Sequence, residues 1–142
     1  MSAAGSSTVV ARTEPGSFTT DVRVRSHALV MDEPEALGGS DGGPTPGEMV
    51  AAALAACTTI TLRMYADRKG WPLEAVEAHV DRQIDVGATG AGSHATPHYL
   101  LSVTVSGPLD EAQVARLRQV AERCPVHRQL EGSTAITTEL TT

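Results

Sequence analysis

The 142-residue sequence predicts an α+β fold with mixed or antiparallel sheets, on three observations. Near the N-terminus, β-branched and polar residues alternate. A long Ala-rich helix follows a Gly- and Pro-rich loop. Two further alternating stretches then lead into an amphipathic helix. The length suits a single domain over 1–142. Aromatic residues make up only 3% of the chain, so the core must pack small side chains closely or be completed by a second subunit. That favours an oligomer.

Taken in order, residues 1–7 are rich in Ser, Gly and Ala and are expected to fray. Thr8 to Ala11 and Phe18 to Leu29 read as strands, with Val22 and Val24 on one face and Arg23 and Arg25 on the other. Residues 33–44 carry Gly, Pro and Asp and read as a loop. Thr45-Pro46-Gly47-Glu48 then has the form of a capping box, with Thr45 as N-cap, Pro46 at the first helical position and Glu48 reaching back. The helix that follows runs to Gly70, a plausible C-terminal stop. Its first half is small or apolar all round, which predicts burial on every side and a partner chain to supply it. Leu73 to Val86 and His98 to Ser106 read as a hairpin around a loop at 87–97. Asp110 caps an amphipathic helix with Val114, Leu117, Val120 and Ala121 on one face, ending before Pro125. Cys124-Pro125 opens a short helix to Gly132, and Ser133 to Leu140 reads as a last strand.

A formal net charge of -6 argues against nucleic acid as a partner, which needs a basic footprint. The N-terminus lacks the pattern of a signal peptide, and the apolar run Met49 to Leu62 is too short to span a bilayer. The expectation is a cytoplasmic protein with no membrane partner.

The chemistry rests on two cysteines, Cys57 and Cys124, separated by 124 − 57 = 67 residues. Cys124 caps the short helix, where N–H groups and the helix dipole favour an anion, and Arg123, His127 and Arg128 add positive charge. Those conditions lower a thiol pKa. The alternative is an inert cysteine used as a small cap. Cys57 sits mid-helix among Ala and Thr and reads locally as a core residue, since free cysteine is often buried. Cys124 and His127 also form half of a zinc-like spacing, with His27, His79, His94 and His98 as further donors, but no second cysteine pair accompanies them. No glycine-rich phosphate fingerprint follows a strand. The residues therefore imply neither a metal nor a cofactor.

The stretch GGSDGGPTPGEMVAAALAACTTITLRMYADRKGWPLEAV, followed by AERCPVHRQLEG, resembles the OsmC/Ohr family of osmotically inducible and organic-hydroperoxide-resistance proteins. The segment His27 to Pro34, H-x-L-x-x-D-E-P, is similar to the OsmC-like redox branch. The resemblance implies an intertwined α+β homodimer with sheets packed around long central helices and active sites at the interface. It also implies a two-cysteine cycle in an oxidative stress response. Cys57 would attack an organic hydroperoxide, Cys124 would resolve the sulfenic acid as a disulfide, and a dithiol such as a lipoyl group would reduce it. The family's peroxidases carry a glutamate ten residues before the first cysteine, paired with an arginine; here that position is Gly47. Glu48 is one residue later, which at about 100° per residue puts it opposite Cys57 and suits it to capping. Arg12 and Arg25 are positional candidates for the arginine. The same departure motivates an alternative, a catalytically weakened dimer that binds a small apolar ligand at the subunit interface.

Overall fold

The computed structural model describes residues 7–84, 96–132 and 134–142. Residues 1–6 of the expected frayed segment 1–7 and residues 87–95 of the expected loop 87–97, with His94, lie outside them. The chain forms two compact units, 1–50 and 51–142, the boundary falling inside the long helix.

In the first unit three short strands, β1 (Val9–Thr13), β2 (Thr20–Val24) and β3 (His27–Met31), make an antiparallel sheet in that order. The stretch Phe18 to Leu29, expected as one strand, is broken at Arg25 and Ser26. Val24 pairs with His27 across this two-residue turn, with Arg25 in the left-handed region at φ 54°. Because a two-residue turn preserves the alternation, the pattern runs through the reversal without marking it.

Beyond β3 the chain folds back around one carboxylate. Asp32 is buried and accepts hydrogen bonds from Glu33 N at 2.7 Å, Thr19 Oγ1 at 2.8 Å and Gly42 N at 3.1 Å. Burial pushes its pKa upward, but these bonds, with one from the Ser40 backbone, outweigh burial and hold it below the usual carboxylate value. Two glycines allow the approach. A Cβ on Gly39 would lie 1.9 Å from Glu33 O, and one on Gly43 would lie 2.3 Å from Val30 O. The loop thus delivers Thr45 to the helix start, where Thr45 N donates to Glu48 Oε1 and Glu48 N donates to Thr45 Oγ1. The expected capping box is formed.

Helix α1 (Pro46–Lys69) turns out of its axis at Gly70, φ 69°. By length and composition alone it is long and apolar enough to cross a membrane, since it extends past the Met49 to Leu62 run. In this fold it buries a stripe, Leu54, Thr58, Leu62 and Ala66, at the four-residue spacing of one helix face. Burial on every side is not what the single chain shows. Ile60 and Met64, on the opposite face, are 58% and 65% exposed.

In the second unit β4 (Ala75–Ile84) and β5 (Pro97–Ser106) pair antiparallel from Ala75↔Ser106 to Ile84↔Pro97. Arg63 ties α1 to the start of β4 by donating to Leu73 O and Glu74 O at 2.6 and 2.8 Å. Asp110 and Gln113 form a second capping box at the start of α2 (Glu111–Ala121). Leu62, Ala66, Leu73, Leu117, Val120 and Ala121 make the buried cluster, with Val103 and Val105 of β5 packed against it. Helix α3 (Pro125–Glu131) follows.

Residues 134–142 form no strand; Ile136 and Leu140 are 83% and 92% exposed. Alternation and β-branching supply the propensity, but a strand needs a ladder partner, and among the described residues this segment pairs with none. Leu117→Ala, which empties the middle of the core, is expected to lower stability by about 2–5 kcal/mol, read from the urea midpoint with an unchanged m-value.

Candidate functional site

Cys57 takes its place from the buried stripe of α1. Thr58 is fully buried and donates Oγ1 to Leu54 O at 2.8 Å, so a polar residue closes its hydrogen bond inside the helix. Cys57 is one residue off that stripe and therefore sits on its shoulder, half-buried. One turn on, Thr61 Oγ1 lies 3.9 Å from Cys57 Sγ. Sequence reasoning passed over Thr61, although its i,i+4 spacing from Cys57 was there to be read.

Cys124 comes from the other direction. The buried residues Leu117, Val120 and Ala121 draw the end of α2 into the core. Arg123 N then bonds Val120 O, Arg128 N bonds Cys124 O at 3.0 Å, and Pro125 occupies the first position of α3. Cys124 takes the expected N-cap position, and of the two local readings of its thiol, reactive or inert, the surroundings favour the second. Cys124 is 0% exposed. Burial pushes its thiol pKa up, and the neighbouring Cys57 side chain pushes it further, both as a hydrogen-bond partner and as a charge. The N–H groups of His127 and Val126 pull it down and lose. Local sequence showed the helix terminus but not the burial that overrides it. Arg123 and Arg128 stay exposed.

The structure thus brings Cys57 and Cys124 together as free thiols. His127 sits beside Cys124 through its backbone N–H. Its Nδ1 approaches Glu131 Oε1 to 2.6 Å in distance, without the alignment of a hydrogen bond. Glu48 serves the capping box. Arg12 is exposed on β1 with its Nε 2.8 Å from Glu14, and Arg25 occupies the β2–β3 turn. His27 begins β3, His79 pairs with Glu77, and His98 lies on β5. Among the described residues, no three His, Cys, Asp or Glu side chains converge where a metal could be held.

An open groove of about 480 Å³ runs between β5 and α2, lined by Leu62, Leu101, Val103, Val114 and Leu117, with Arg118 and His127 among its polar residues. A second, of about 300 Å³, adjoins it at Tyr99, Leu101 and His127 and reaches Leu54.

A model of the family described as OsmC-like protein matches residues 38–139, the span that holds both cysteines. The chain belongs to the OsmC-like family. No curated protein matches it in sequence. Solved structures share its fold at low identity. An OsmC-like protein from Mycoplasma pneumoniae is 19% identical, covering 92% of this chain and 90% of its own, with a TM-score of 0.75. An organic hydroperoxide resistance protein, OsmC, from Legionella pneumophila is 23% identical, with 92% and 93% covered and a TM-score of 0.70. The organic hydroperoxide resistance protein OhrB of Bacillus subtilis is 21% identical, with 92% and 93% covered and a TM-score of 0.61. The family's α+β architecture is that of this chain, with its two antiparallel sheets.

The raised pKa of Cys124 carries a sign. The unfolded chain ionises this thiol near its ordinary value of 9.0, before the folded chain does. Stability is therefore present below that pH and is lost as pH climbs through the folded value. Thermal melts from about pH 8 to about pH 10.5 should fall more steeply for the wild type than for Cys124→Ala.

Proposed function

We propose that the protein is a thiol-dependent redox enzyme that reduces organic hydroperoxides, with Cys57 as the peroxidatic and Cys124 as the resolving cysteine. The observation that carries this reading is the meeting of two free thiols of unequal character, one half-buried and one fully enclosed and held protonated. Family membership, and fold neighbours named for organic hydroperoxide resistance, support it.

In this cycle the Cys57 thiolate attacks the distal oxygen of ROOH. The O–O bond breaks, an S–O bond forms, and the departing alkoxide takes a proton to leave as ROH. Cys57 is now a sulfenic acid. The Cys124 sulfur attacks it, forming the S–S bond and releasing water, and an external dithiol such as a lipoyl group returns two electrons and two protons. Arg12 and Arg25 are the candidates for the cation that assists Cys57. His127 is a supporting residue through its backbone, and Glu48 through the helix start. A cytoplasmic setting, where dithiols are kept reduced, suits such a cycle.

The test is intact-mass and free-thiol analysis after one equivalent of an organic hydroperoxide. Two thiols per chain should disappear, with a peptide linking Cys57 to Cys124. Cys124→Ser should stop at a trapped sulfenic acid on Cys57, and Cys57→Ser should consume no peroxide. Variants that consume peroxide as fast as wild type would sink the reading. Two thiols surviving in the wild type would instead favour a dimer that holds a small apolar ligand without turnover, for which Gly47 and the apolar groove on β5 speak.

The working unit we propose is a homodimer. Ala56, Ile60 and Met64 form an exposed apolar line on the face of α1 opposite the buried stripe, the kind of surface that packs against a second copy. Native mass measurement should give two 14.8-kDa chains, and Ile60→Glu with Met64→Glu should shift the species to monomer. A monomeric wild type would exclude it.

A further inference from the structure

We infer that Thr61 is a hydrogen-bond donor to the Cys57 thiolate and so sets how readily Cys57 reacts. The inference rests on the reading of Cys57 as the attacking thiol and names a group that acts on its sulfur directly.

Three threonines follow Cys57 within one turn of α1, and they do different things. Thr58 Oγ1 donates to Leu54 O at 2.8 Å, and Thr59 Oγ1 donates to Ala56 O at 2.9 Å. Each hydroxyl proton is committed to a helix carbonyl. The Thr61 hydroxyl instead lies 3.9 Å from Cys57 Sγ, stacked one turn away on the same face.

With a neutral thiol either atom of this pair can be the donor. Once Cys57 has lost its proton only the hydroxyl can donate, and a charge-assisted contact is shorter and stronger than a neutral one. The hydroxyl is therefore in place to donate to the sulfur in its nucleophilic form. On the other side stands the Cys124 thiol, enclosed and protonated. The Cys57 sulfur is thus flanked by two neutral groups that each carry a proton. Neither depends on position 47, where Gly47 offers no carboxylate.

The experiment is site-resolved alkylation of the full-length reduced protein by iodoacetamide, following the Cys57 peptide by mass spectrometry across a pH series. No peroxide is present, so the outcome is independent of turnover. Thr61→Val, which keeps the shape and removes the donor, should slow Cys57 alkylation at neutral pH by about threefold to tenfold. Thr61→Ser, which keeps the hydroxyl, should restore the wild-type profile. Coincident profiles for Thr61→Val and wild type, or a Thr61→Ser profile that tracks Thr61→Val, would overturn the assignment. A slowed Thr61→Val in a protein that reduces no hydroperoxide would leave Thr61 as the donor and remove only the peroxidase reading.

Discussion

The four-residue rhythm of Leu54, Thr58, Leu62 and Ala66 orients α1, and the site depends on that orientation. A helix with so many small side chains has many ways to lie against its neighbours. The stripe removes that freedom because only it carries two leucines and a threonine whose hydroxyl is already satisfied inside the helix. Once the stripe is buried, Cys57 and Thr61 must fall together on its shoulder, and Ile60 and Met64 must face away. The same cluster, through Leu117, Val120 and Ala121, fixes where α2 ends and hence where Cys124 begins α3.

Two cysteines of one chain thereby acquire opposite characters. Cys124 has the features of a thiolate site by local rules, a helix start with cations nearby, yet enclosure in low-dielectric surroundings outweighs them. Cys57 looks like a core residue by local rules and turns out half-buried. Flanking residues did not foretell which sulfur is enclosed, because access and desolvation belong to tertiary structure. The proposed division of labour between the two sulfurs rests on this difference in access.

How much was legible follows the range of the forces involved. The capping box at Thr45, the cap at Asp110, the stop at Gly70 and the short helix after Pro125 are products of contacts within a few residues, and each could be read directly, while strand alternation marked the β4–β5 hairpin. The turn at Arg25 was hidden because it keeps the strand alternation intact. The segment 134–142 has the right residues for a strand and, among the described residues, no ladder to join, since pairing is a property of neighbours in space. The family and the pair Cys57 and Cys124 were readable as a resemblance. Thr61 is marked only by its i,i+4 spacing from Cys57, since a neutral hydroxyl leaves no trace in charge or motif.

The clasp at Asp32 gives the glycine-rich segment before α1 a meaning its composition does not suggest. A run such as GGSDGGPTP would ordinarily pass for a tether whose length could drift between relatives. Here three backbone amides and a threonine hydroxyl converge on one carboxylate, and two of the glycines lie where no side chain fits. The segment is a spacer of fixed length. Insertions into it would leave donors without their acceptor or force chain into occupied space, so evolutionary change in this part of the molecule should proceed by substitution at the exposed positions and seldom by changes in length.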